Sequence, residues 1–248
     1  MIFRGFLGFT GIKMNEEGNA WNEEDYKKNS LENTRDRLGF IRKVYLLLFL
    51  QLLITGVFVL IGALSEGFRD FVYEHWWIML ISFFLSLIPL LLLFLVKSYA
   101  RTVPINYCLL FLFTLLDSFT LACITAFYEP EVILIAFGCT ALLTGSLTLY
   151  AWFTKTDFTL LYGVMIVVGF ALFAFLLLIL ILDNNDIYRL IFCPLAIIFY
   201  GVYLVIDTQY IISKGKYGMG YDDYVLGVVA LYIDIVGMFA YFLELIGG

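Results

Sequence analysis

The 248-residue chain has one histidine, His75, and its four cysteines form no CxxC pair. Cys108, Cys123, Cys139 and Cys193 all fall inside apolar runs, where a free thiol behaves as a small buried hydrophobe. Neither a disulfide framework nor a zinc site is expected. His75 stands beside Trp76 and Trp77 at a segment boundary, which reads as an interfacial residue next to aromatic anchors. It is the only histidine, and it lies outside the apolar segments, so a serine nucleophile at membrane depth has no imidazole base. HExxH, the P-loop and the dinucleotide fingerprint are all missing. Charge is scarce too: 15% of residues are charged, against about 25% in soluble domains. The formal charge of −6 leaves no basic patch for nucleic acid.

The chain is instead 62% hydrophobic, which points to a polytopic membrane protein. A spanning helix needs roughly 20 apolar residues, and seven such segments fall near 40–62, 76–96, 104–127, 131–153, 158–182, 188–212 and 224–246. These runs are too long and too uniformly apolar for barrel strands. Helices pair every backbone group internally, so the expected class is an all-α integral membrane bundle. Residues 1–39 form a polar extension on the cytosolic or matrix side, and residues 40–248 form the transmembrane domain. Met1–Lys13 is basic, free of acid, and lacks the apolar core and cleavage site of a secretory signal. Asn15–Gly39 is too polar to fold alone, so the extension is expected to pack on a partner in a membrane complex. Loop charge alternates: Lys27, Lys28, Arg35, Arg37, Arg42, Lys43, Lys97, Arg101, Lys155, Lys214 and Lys216 fall on one side. Glu66, Asp70, Glu74, Glu129, Glu131, Asp183 and Asp186 fall on the other. Positive loops belong to the cytosolic side, which puts the N-terminus inside.

Asp207 and Asp234 lie within the sixth and seventh apolar segments. Carboxylates at membrane depth are costly and mark functional sites. Their depths differ by roughly 7 Å at the rise of a helix, which tilt can close. Two carboxylates in a low-dielectric site do not both ionise easily; they share a proton and titrate as a pair. Loss of that proton leaves charge that repels or takes up a cation, and the pair with nearby carbonyls offers oxygens to calcium. Gly227, Ala230, Asp234 and Gly237 share one stripe, as do Gly138, Ala141, Gly145 and Thr148 in the fourth segment; both read as packing faces. Tyr200 and Tyr203 fall on the Asp207 face. Asp117 sits mid-segment beside Thr114, Ser118 and Thr120, a third acid for an ion pathway. Asp222 and Asp223 precede the seventh segment; helix capping is their default role, with gating at the cytosolic mouth the sharper alternative. An intramembrane aspartyl protease would also use two membrane aspartates, but its GxGD motif is absent: Val205-Ile206 and Tyr232-Ile233 precede the two acids. No catalytic residue, enzymatic activity or organic cofactor is expected.

The stretches FIRKVYLLLFLQLLITG (40–56), FTLLDSFTL (113–121), IDTQ (206–209) and DDYVLGVVALYIDIVGMF (222–239) resemble the transmembrane Bax inhibitor motif family, the Lifeguard branch most of all. The resemblance implies a seven-helix bundle with the seventh helix central. It implies a pH-sensitive calcium leak across intracellular membranes and suppression of cell death. Asp207 and Asp234 match the family's proton-sharing aspartates, and Asp117 falls where the Lifeguard pattern has a glutamate. The family's ending carries Asn where this chain has Ala230 and Gly237. The implied compartment is a Golgi, endoplasmic reticulum or related membrane; the basic first 13 residues offer the mitochondrial inner membrane as the alternative.

Overall fold

A computed structural model describes residues 23–182, 187–213 and 219–248, with the backbone alone for 23–34 and 180–182. The first part of the extension, the loop charges Asp183, Asp186, Lys214 and Lys216, and the side chains of Lys27 and Lys28 lie outside that description, as does any partner contact they make. Two compact units divide at Arg42 and Lys43. The candidate functional residues all lie in the second.

All regular structure among the described residues is helical. The helices are α1 (Glu23–Leu64), α2 (Glu66–Glu74), α3 (Trp77–Leu95), α4 (Lys97–Arg101), α5 (Ile105–Thr125), α6 (Pro130–Phe153), α7 (Tyr162–Leu182), α8 (Cys193–Ile212) and α9 (Tyr224–Gly247). Seven are long and apolar enough to cross a membrane, and they match the seven predicted segments. Two boundaries differ. α1 begins at Glu23, well before Phe40, because the Glu, Lys and Arg residues ahead of the apolar run are good helix formers and extend it. The sixth span opens with a π-helical turn, Tyr188–Phe192, before α8. Between spans, Ser65 caps α2 by accepting from the Phe68 N–H at 3.3 Å. His75 closes that helix, its ring stacked on Phe71 with centroids 5.0 Å apart.

Burial is unequal. Half of the most apolar stretch of α5 and of α9 is enclosed, against 11% for α7 and 17% for α6. α9 packs on α8, α6 and α5 and buries Val225, Val228, Leu231, Tyr232, Met238 and Leu243. Lipid is as apolar as leucine, so what separates inside from outside here is polar content and close approach. Gln51, Thr55, Ser82, Ser86, Asn106, Thr114 and Ser118 are all buried.

The small-residue stripes behave differently from each other. On α9, a Cβ at Gly227 would meet Met219 and Ile211, and one at Gly237 would lie 2.7 Å from the Tyr200 ring. On α6, nothing lies within 4 Å of a Cβ built at Gly138 or Gly145. Ile133, Ala136 and Thr140 form the buried face of α6 instead. The expected packing face of that helix is therefore corrected: small residues permit close approach without demanding it, and in lipid an outward glycine is tolerated. Cys108 is likewise exposed on the bundle surface, not buried, while Cys123 and Cys193 are buried.

At Gly62 a Cβ would collide with the Ala122 carbonyl and the Thr125 hydroxyl, and a backbone carbonyl has nowhere to go. Gly62→Ala is expected to destabilise by about 1–3 kcal/mol. Gly138→Ala gains up to about 1 kcal/mol of helix propensity. Unfolding of the two purified variants in detergent checks both signs.

Candidate functional site

Asp207 and Asp234 are brought together. The close approaches at Gly227 and Gly237 flank Asp234 and draw α8 against α9, so the depth offset expected from sequence closes. The two carboxyl groups lie in hydrogen-bonding contact. Asp234 is 4% exposed, and its Oδ2 is buried with no donor of its own. Two carboxyl groups this close do not both ionise easily.

The pair opens on a cavity of about 740 Å³. Tyr162, Phe199, Tyr200 and Tyr203 form much of its wall, and Thr159, Leu160 and Met219 close the end nearest the connecting loops. Among the described residues, no Lys, Arg or His lines it. Tyr200 and Tyr203 thus share the space with Asp207, as their face of the helix predicts. Among the described residues no cluster of three or more His, Cys, Asp and Glu side chains could hold a metal ion. A calcium ion at the pair would have two carboxylates and would need water or carbonyls for the rest of its six to eight oxygens.

Asp117 is placed elsewhere, in a polar ladder between α1, α5 and α9. Tyr232 Oη donates to Asp117 Oδ2 at 3.1 Å and lies 2.9 Å from Thr55 Oγ1. Thr55 lies 2.8 Å from Ser118 Oγ, and Gln51 Nε2 donates to Thr114 Oγ1 at 2.6 Å. Asp117 does not line the cavity. Gln51 and Thr55, polar residues one helical turn apart in an apolar run, carried the signal for this ladder in the sequence.

Asp222 and Asp223 lie in a 3₁₀ turn ahead of α9. Asp223 occupies the N-cap position but makes no side-chain cap hydrogen bond, which corrects the capping expectation for it. Its carboxylate accepts from Arg101 Nε at 2.7 Å and Nη2 at 2.9 Å. This fork-to-fork pair joins the end of α4 to the 3₁₀ turn before α9 and wins over the helix end because it is charge-assisted and bidentate. It pushes the Arg101 guanidinium further above its usual range. Nearby, Lys43 Nζ sits 3.4 Å from the Tyr224 ring centroid, and Asn106 Nδ2 donates to Tyr224 Oη at 2.8 Å.

The IDTQ stretch fans out. Asp207 meets Asp234, Thr208 is buried beside Tyr45 of α1, and Gln209 staples the loop between α6 and α7. Gln209 Oε1 accepts from the Phe158 N–H, and its Nε2 donates to the Thr156 carbonyl, both at 2.8 Å. That loop runs directly into the cavity wall at Thr159 and Leu160. The motif was visible in the sequence; the role of its glutamine was not, because its partner is backbone.

The family described as inhibitor of apoptosis-promoting Bax1 matches residues 37–248. The chain is 29% identical over 240 residues to protein lifeguard 3 of Mus musculus, covering 96% of this chain and 77% of that one. It is 29% identical over 219 residues to the Homo sapiens protein lifeguard 3, covering 87% and 70%. Bax inhibitor 1 of Schizosaccharomyces pombe is 29% identical over 211 residues, covering 85% and 77%.

Replacing Gln209 with Met, similar in length but without the amide, removes both staple bonds. Amide exchange at residues 156–158 is expected to accelerate by about tenfold or more, the worth of one to two hydrogen bonds, while the body of α7 keeps its protection. Hydrogen-exchange mass spectrometry reads both segments at once.

Proposed function

The chain belongs to the Bax inhibitor family as an integral, multi-pass membrane protein, and we propose that it is a pH-responsive leak pathway for cations, calcium foremost, in an intracellular membrane. The observation that supports this most is the Asp207–Asp234 pair, buried between two spanning helices and open to a cavity with no basic side chain among the described residues. With one proton shared, the pair binds α8 to α9. With the proton gone, two like charges in contact either separate or take up a cation. Both outcomes alter the path between these helices, and a proton thereby governs ion passage. Arg101–Asp223 bridges the loops at the same end as the cavity's loop wall and serves as the gate there, with Asp222 adding charge beside it. Asp117, held by Tyr232 in the ladder between α1, α5 and α9, would meet an ion only beyond this cavity. The compartment we propose is Golgi or endoplasmic reticulum membrane, and control of calcium there is the route by which the protein would suppress cell death.

Gly237 favours a second reading. Tyr200 fills the place where the family's ending has an amide, so the fold stands without that polar group. A chain of this kind could serve as an accessory subunit of a membrane complex; a native mass larger than the monomer after gentle extraction supports it.

Calcium flux into proteoliposomes, measured at acidic and at neutral pH, tests the first reading. The native chain is expected to show a flux that shifts between the two, and folded Asp207→Asn a flux that does not. Retained pH dependence in that variant removes the pair from the sensor role. Asp223→Asn, which opens the Arg101 bridge, is expected to raise flux severalfold at both pH values. An exposed bridge holds weakly, so a change of about a hundredfold would point to a different gate.

A further inference from the structure

We propose that the cavity beside Asp207 and Asp234 binds an organic monocation, an ammonium ion carrying a small apolar body. The proposal concerns the same site as the leak reading and rests on its carboxylate pair, but it does not depend on flux. Two independent features of the cavity lead to it.

One is the wall. Phe199 meets Tyr203 edge to face with centroids 4.8 Å apart, Tyr203 meets Tyr162 at 6.1 Å, and Phe199 meets Tyr200 at 5.7 Å. The rings form one continuous lining. Faces and hydroxyl edges of tyrosine attract a cation, and such aromatic cages suit ammonium groups in particular.

The other is charge. Among the described residues, the titratable groups facing the cavity are Asp207, Tyr200, Tyr203 and Tyr210 from α8, Asp234 from α9 and Tyr162 from α7. All are acids or phenols. Asp234 is 4% exposed and its Oδ2 has no donor. A pair that shares one proton retains one negative charge, so a monocation neutralises the site without moving that proton.

Size and hydration agree. About 740 Å³ falls within the roughly 300–1,000 Å³ typical of small-molecule sites. Calcium resting here would look for six to eight oxygens, and most of this wall is ring carbon. A hydrated calcium ion can pass along such a wall. An ammonium bearing alkyl or aryl groups sheds less hydration on entry and stays. The two ions then compete for the same carboxylates.

The test uses the purified full chain in detergent at neutral pH, and equilibrium dialysis of labelled benzyltrimethylammonium, whose charge is fixed. Neopentylbenzene, its uncharged carbon isostere, is run beside it, each corrected for uptake by protein-free micelles. The ammonium is expected to bind about tenfold or more tightly than the isostere, the scale of a desolvated cation–π contact. The double replacement Asp207→Asn with Asp234→Asn, which removes the one charge the pair retains, should weaken the ammonium by about tenfold and leave the isostere unchanged, and Tyr203→Leu should weaken the ammonium alone. Equal binding of the two molecules by the native chain overturns the proposal, however the variants fold. So does ammonium affinity that survives the double replacement of Asp207 and Asp234 by Asn. Calcium flux without ammonium binding refutes this proposal and leaves the leak reading standing; ammonium binding without flux does the reverse.

Discussion

Water is missing from the interior of a bilayer, and each polar group placed there must find its partner within the protein. Many of the described polar side chains in this bundle answer to that constraint. Thr114 returns its hydroxyl proton to the Leu110 carbonyl, Thr140 to Ala136 and Ser82 to Leu116 of the neighbouring helix. The Asp117 ladder joins hydroxyls and an acid by tying three helices together. Asp234 departs from this pattern: its buried Oδ2 has no donor, and the group it touches is another acid.

The cavity and the pair are coupled by construction. Tyr200 packs on Gly237, one turn from Asp234 on the same helix, and Tyr203 lies one turn from Asp207. Most of the aromatic wall and both acids therefore ride on the same two helices, with Tyr162 added from α7. Gln209, two residues beyond Asp207, fixes the loop that supplies the remaining wall. α8 alone thus presents an acid, four rings (Phe199, Tyr200, Tyr203 and Tyr210) and a loop staple to one region.

Much of this was legible in the sequence. Long apolar runs located the spans to within a few residues, since length and hydropathy are local properties. The pair was legible because a carboxylate inside such a run is too costly to be incidental. What sequence could not fix were choices between equivalent surfaces. The stripe at Gly138 and Gly145 has the same small-residue character as that at Gly227 and Gly237, yet only the second meets a neighbour. Asp117 and Asp234 look alike in sequence, but one accepts from Tyr232 and the other faces Asp207. Asp223 at a helix start suggested a cap; Arg101, 122 residues away, captured it instead. Each of these outcomes depends on which helix stands opposite, and that is a property of the assembled bundle.

The ties along α9 have a mechanical meaning. Near its start Asp223 is bound to Arg101, just ahead of α5. At mid-length Tyr232 is bound to Asp117 of α5. Near its end Glu244 accepts from Tyr128, just beyond α5, at 2.5 Å. α5 and α9, about 32 and 36 Å long at the helical rise, are thus laced at three levels and tilt as one body. A helix adapts to a bilayer thinner or thicker than itself chiefly by tilting. Here that adjustment cannot be taken up between α5 and α9. α8 is tied to α9 as well, by Arg189 Nε, in the turn that opens its span, donating to the Leu245 carbonyl at 3.4 Å and by the close packing of Tyr200 on Gly237, so a tilt imposed on α5 and α9 by the thickness of the surrounding membrane is carried to α8 and to the two aspartates.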